Sequence, residues 1–172
     1  MKHYDNSDVT TLLAKFKNHL TCWQVGVSLG SFLYFHMGDK LPARTKDGSV
    51  VEIGSTTLVL ESDEWTITWQ GKPIADSDTI TEDLVDKLIF KYFIGKSLKS
   101  IEYVNESKEC IIYFTDEGGT PGEIIIRLKG DADEDMCTIT FPDGTIIVCN
   151  AKDGFLSDGS RSDVHVAAYL SG

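Results

Sequence analysis

Five short apolar runs separated by turn chemistry fill the stretch from Leu98 to Cys149, and they confine that half of the chain to β-structure. The runs are Leu98 to Val104, Cys110 to Thr115, Glu123 to Lys129, Met136 to Phe141 and Thr145 to Cys149. Between them stand Asn105-Glu106, Asp116-Glu117-Gly118-Gly119, Gly130-Asp131 and Pro142-Asp143-Gly144, residues that favour tight reversals. Connections this short leave no room for a crossover helix, so successive strands pair antiparallel or in a mixed sheet and a doubly wound fold is excluded. One echo runs through the stretch: Cys110-Ile111-Ile112-Tyr113-Phe114-Thr115-Asp116 resembles Cys137-Thr138-Ile139-Thr140-Phe141-Pro142-Asp143. In both, Cys, Ile and Phe fall on one face, as expected of two similar hairpins in one sheet.

The first half mixes the two periods. Val9, Leu12, Leu13, Phe16 and Leu20 recur at helical spacing, which predicts an amphipathic helix over 8–20 capped by Ser7 or Asp8. Ser31 to Met37 is apolar on both faces and reads as a central strand, and Leu41 to Gly48 reads as a loop. Ser49 to Ile53, Thr57 to Leu60 and Trp65 to Trp69 follow as strands, with Trp65, Ile67 and Trp69 inward. A second helix is expected over 81–94. Glu82 and Asp83 lie in its first turn, Ile80 and Val85 staple its start, and Gly95 closes it. The stretch Asn150 to Asp163 reads as a surface loop, and Val164 to Leu170 as a closing strand. The expectation is one α+β domain over 1–172: an antiparallel or mixed multi-stranded sheet with two amphipathic helices packed on it.

Charge narrows the partners. Sixteen Lys and Arg face 27 Asp and Glu, a formal net charge of -11, and the three arginines (Arg44, Arg127, Arg161) are scattered. A nucleic-acid binder needs clustered cations for the phosphates, so no nucleic acid is expected. An anionic membrane surface would repel the chain as well, whereas a basic protein would be steered towards it. The N-terminus Met1-Lys2-His3-Tyr4-Asp5-Asn6-Ser7-Asp8 lacks the apolar core of a signal peptide, and the four cysteines (Cys22, Cys110, Cys137, Cys149) show no C-x-x-C pair. Reduced thiols and a cytoplasmic location are the corresponding expectations.

The motifs that invite a chemical reading do not survive their context. Gly26-Val27-Ser28-Leu29-Gly30 matches a nucleophile elbow, with Asp163 and His165 following in triad order. That chemistry needs a serine between a strand and a helix, and here the next segment alternates like a strand. Asp131-Ala132-Asp133-Glu134-Asp135 has acids at alternate positions of a calcium loop, but Met136 and Pro142 occupy the places that require Gly and Glu. His19 and Cys22 are three apart, with His3, His36, Cys110 or Cys137 as distant further ligands and no paired spacing. The expectation is no catalytic residue, no metal and no cofactor.

In length, acidity and α+β make-up the chain resembles bacterial toxin-immunity proteins, small inhibitors that block a cognate toxin. The resemblance is to a class and carries no residue signature. It implies a non-catalytic protein-binding domain that occludes the active site of a basic toxin. The densest acidity, Asp131, Asp133, Glu134 and Asp135, is the candidate partner-binding surface at a predicted hairpin tip. A ligand-binding or assembly module is the alternative reading, and an enzyme without a recognisable motif the third.

Overall fold

The computed structural model describes residues 2–28, 32–116 and 122–157. Among them the strands are β1 (Lys2–Tyr4), β2 (Cys22–Ser28), β3 (Phe32–Arg44), β4 (Val50–Leu60), β5 (Glu64–Trp69), β6 (Lys72–Asp76), β7 (Lys96–Val104), β8 (Glu109–Asp116), β9 (Ile124–Lys129), β10 (Asp135–Thr140), β11 (Ile146–Asn150) and β12 (Gly154–Ser157). They make two sheets, a seven-stranded one in the order β1-β12-β11-β10-β4-β3-β2 and a five-stranded one in the order β6-β5-β9-β8-β7. Every strand pairing in both is antiparallel.

The five runs of the second half become β7 to β11 within two residues at each end. What alternation cannot say is which sheet a strand joins. β8 and β10, the pair that carries the repeated Cys-Ile-Phe pattern, belong to different sheets and not to similar hairpins in one. Their apolar faces point at each other. Cys110, Ile112 and Phe114 from β8 and Cys137 and Ile139 from β10, with Phe141 just beyond, lie in one buried cluster. Phe35 of β3 contacts Phe114 across the gap, ring centroids 5.5 Å apart. The core is therefore the space between two sheets, and one sheet does for the other what packed helices were expected to do.

The helices are smaller than their periodicity suggests. The first, α1, spans Asn6–Lys15, and a 3₁₀ turn at Lys17–His19 completes the expected 8–20 segment. Its cap is Asp5, whose carboxylate accepts from the Asp8 N–H while Asp8 returns the bond to the Asp5 N–H. Ser7 is its second residue instead of its cap. The expected 81–94 helix is broken into α2 (Glu82–Leu84), a π-turn at Val85–Ile89 and α3 (Phe90–Phe93). Thr81 caps it, and Gly95 closes it at φ +81, as its sequence indicated. Val85, Ile89 and Phe93 still enter the core. α1 packs along β7 and α3 along β2, the edge strands of the two sheets.

Two stretches read as loops carry strand, and one strand, β6, falls where none was expected. β3 continues through Leu41, Pro42 and Arg44, pairing with Val50 to Gly54 of β4 in a hairpin whose end exposes Leu41, Val50 and Val51. There β3 has a partner on one side only, where proline costs no ladder bond. β6 contains Pro73 and is likewise an edge strand. Gly154–Ser157, expected as loop, pairs with both β11 and β1. The expected strand over 164–170 lies outside the described residues. At the exposed edge of β7 the Asn6 side chain pairs with the backbone of Tyr103: its Oδ1 accepts from the N–H at 2.8 Å and its Nδ2 donates to the carbonyl at 3.2 Å.

Candidate functional site

The chain passes between the sheets twice at one place. It leaves β4 at Leu60 and enters β5 at Glu64, and it leaves β9 at Lys129 and enters β10 at Asp135. The segment 130–134 is therefore a crossing from one sheet to the other and not the hairpin tip expected of it. A hairpin would have kept both strands in one sheet, but β9 pairs with β5 and β8 while β10 pairs with β4 and β11.

Two side chains bind the crossings together. Ser62, fully buried, places its hydroxyl against the carbonyls of Lys129 and Glu64, and the N–H groups of Glu61 and Ser62 donate to the Met136 carbonyl at 2.9 and 3.1 Å. Glu134 spans the gap. One of its oxygens accepts from the Asp63 N–H at 3.0 Å, the other from the Asp131 N–H at 3.1 Å. Backbone donors of a crossing take such acceptors because no ladder supplies them.

These constraints leave a cavity of about 360 Å³ lined by Asp63, Glu64, Asp78, Lys129, Gly130, Asp131 and Glu134. Five carboxylates face one ammonium across it. Lys129 reaches Glu64 at 4.0 Å, a distance at which an exposed pair in water is weakly coupled. The four acids expected to act together are divided by the fold. Asp131 and Glu134 line the cavity, with Glu134 committed to backbone bonds. Asp135 accepts from the Asn150 amide at 2.9 Å and Asp133 pairs with Lys152 at 3.7 Å, so neither contributes to the lining. Asp63, Glu64 and Asp78 were not legible as members, being brought in from the other crossing and from the turn after β6.

The discarded motifs are also placed. Ser28 ends β2 opposite Phe32 of β3, so the described residues around it form an antiparallel pair with no elbow; Asp163 and His165 lie outside the described residues. His19 bonds Ser55 through Nδ1 at 3.0 Å and does not meet Cys22, which is buried against the Gln24 carbonyl with its thiol pushed up to about 12 by burial. His36 is buried on the outer face of the larger sheet, stacked on Trp23 at 5.2 Å. Its Nδ1 accepts from the Gly54 N–H at 3.0 Å, and burial lowers its pKa to about 4.

Three cysteines converge where sequence spacing gave no pairing. Cys110, Cys137 and Cys149 are all buried, with their sulfurs within 4.8 Å of one another and Cys110 to Cys137 at 3.7 Å. Cys137 and Cys149 are register partners on β10 and β11, and Cys110 arrives from the opposed sheet. The repeated Cys-Ile-Phe pattern was the available signal, since it sets two cysteines at the same phase of two strands. All three thiols are held well above the ordinary range. At Cys110 the contact with Cys137 acts downward and is outweighed by the Cys149 contact and burial. At Cys137 the Cys110 contact leads, with burial in the same sense, and at Cys149 burial leads.

Comparison with protein families, with characterised proteins and with solved structures gives no match to this chain. No helix among the described residues is long and apolar enough to cross a membrane.

Proposed function

We propose that this protein is a non-catalytic binding domain that recognises a basic protein partner, in the manner of a toxin-immunity protein, and works in a reducing cytoplasm. The observation that carries the reading is the cavity at the paired crossings. Sites for small organic ligands are lined mainly by apolar and aromatic groups. This one is lined by Asp63, Glu64, Asp78, Asp131 and Glu134 around a single lysine. Such a lining suits the lysine or arginine head of a partner's side chain. The net charge of -11 extends the attraction beyond the cavity and favours rapid encounter.

Glu134 and Ser62 hold the backbone that shapes the cavity and Glu64 faces Lys129, which leaves Asp63, Asp78 and Asp131 as the acids without a cation opposite them in the lining. The test is the association rate of the host protein captured by this domain, compared with that of the triple variant Asp63→Asn, Asp78→Asn, Asp131→Asn. Slower association at low salt, by about tenfold, and a flatter salt dependence are expected with an unchanged fold. An unchanged rate removes the cavity from the interface. A captured partner with an acidic surface removes the reading itself.

A further inference from the structure

We infer that Cys110, Cys137 and Cys149 form a binding site for one soft metal ion, monovalent copper, at the centre of the sandwich. The first argument is distance. A metal bonded to thiolates at about 2.3 Å in a flat trigonal arrangement sets its sulfurs about 4.0 Å apart. The three sulfurs here, one pair at 3.7 Å and all within 4.8 Å, bracket that spacing. Side-chain movements of less than an ångström complete the geometry.

The second argument is how the sulfurs are held. Each sits on a different strand, and two opposed sheets supply them, so the site exists only when the sandwich is closed. Cys22, equally buried, stands apart from the group and shows that burial alone does not gather thiols in this fold. Ligand count and softness then select the ion. Thiolates favour copper(I), zinc and iron–sulfur clusters. Structural zinc takes four ligands, and among the described residues the group offers three, with no His, Asp or Glu completing it. Copper(I) needs no fourth ligand once three sulfurs surround it.

Charge is the opposing term. Glu61 and Asp135 act against ionisation of Cys137 and Cys149 respectively, and an apolar interior disfavours a net anion. Copper(I) keeps the excess small: two thiols release their protons to solvent as Cu–S bonds form, the third remains a neutral S–H donor, and the site carries one negative charge. No electron is transferred. The burial of all three sulfurs means that loading accompanies closure of the sheets, so the ion must be present as the chain folds.

The experiment is anaerobic refolding of the full chain with one equivalent of copper(I), supplied as its acetonitrile complex, followed by desalting and metal analysis. One copper per chain, near-ultraviolet thiolate-to-copper absorption and a melting midpoint raised by about 5–10 °C at a hundredfold excess over Kd are expected. Cys110→Ala, Cys137→Ala and Cys149→Ala should each lose the ion, and Cys22→Ala should keep it. Should a variant not fold, wild-type protein decides: in partial denaturant copper should shield Cys110, Cys137 and Cys149 from alkylation while Cys22 is modified. Copper absent after desalting, or retained without shielding those three residues, overturns the site. Zinc retained as firmly as copper overturns the choice of ion.

Discussion

The sulfur triad and the carboxylate cavity are both gatherings of acidic side chains, and the fold treats them in opposite ways. At the centre of the sandwich, Cys110, Cys137 and Cys149 meet without solvent; their mutual contacts act in both directions, and burial opposes ionisation at all three, so the thiols stay neutral. At the crossings, Asp63, Asp78 and Asp131 meet across an open cavity, where water lets like charges stand near one another. The difference teaches that convergence of titratable groups has no fixed meaning. Dielectric surroundings decide whether a cluster is a stored set of protons or a standing charge.

The comparison breaks most severely if a carboxylate is moved to the centre. Cys137→Asp places an acid beside two thiols and among apolar side chains, at a cost on the order of 5 kcal/mol. That is comparable to the whole stability of an ordinary domain, so cooperative unfolding should vanish in circular dichroism. A cooperative transition near the wild-type midpoint would show that the centre is wetter than its packing indicates.

His36 sharpens the contrast from the outer face of the larger sheet. Its folded pKa of about 4 lies below the ordinary value of 6.5, so the unfolded chain binds the proton more readily. Stability conferred by the neutral ring is complete above pH 6.5 and is lost as pH falls towards 4, by about 3 kcal/mol in all. The geometry agrees with the sign, since Nδ1 already accepts from the Gly54 N–H and a proton there would oppose that donor. Denaturant titrations of wild type and His36→Gln between pH 7 and pH 4 should diverge in this direction; parallel curves would contradict it.

The smallest effects separate neighbours on the cavity wall. Glu134→Ala removes the acceptor of two exposed backbone donors, which water then solvates, and should cost about 1 kcal/mol in urea unfolding. Asp131→Asn, a few ångströms along the same wall, should change stability by less than about 0.5 kcal/mol. Equal losses at both positions would mean that the division between framework acids and available acids is misdrawn.

The same division explains what the chain disclosed in advance. Short apolar runs bounded by turn residues marked β7 to β11, with alternation clear in β9 and absent from β11, which is buried on both faces. They were silent on sheet membership, which depends on where the chain crosses, and the five residues of 130–134 can serve a hairpin or a crossing equally well. The long arm of β3 hid behind Pro42 and its charges, because exposed one-sided strand has no burial pattern to read. The density of acids at 131–135 was visible, but their separation into Glu134 as clamp and Asp131 as wall follows from backbone donors at Asp63 and Asp131 that only the fold positions. Cys149 joined the triad without signal, since cross-strand register is not encoded in spacing along the chain.

The pairing of Asn6 with Tyr103 bears on how this molecule coexists with its own copies. β7 ends its sheet; at one end Leu98 donates its N–H to the Leu20 carbonyl and Ser97 bridges Thr21, and bare amides further along such an edge are a template on which a second molecule could grow a ladder. Asn6 presents a donor and an acceptor to that edge in the manner of one residue of an adjacent strand. An incoming strand thus finds both ends of the edge occupied, one by Leu20 and Thr21 and the other by Asn6, with α1 packed along β7. The helix start thereby shortens the bare edge open to a neighbour, a consequence that neither its length nor its apolar stripe would reveal.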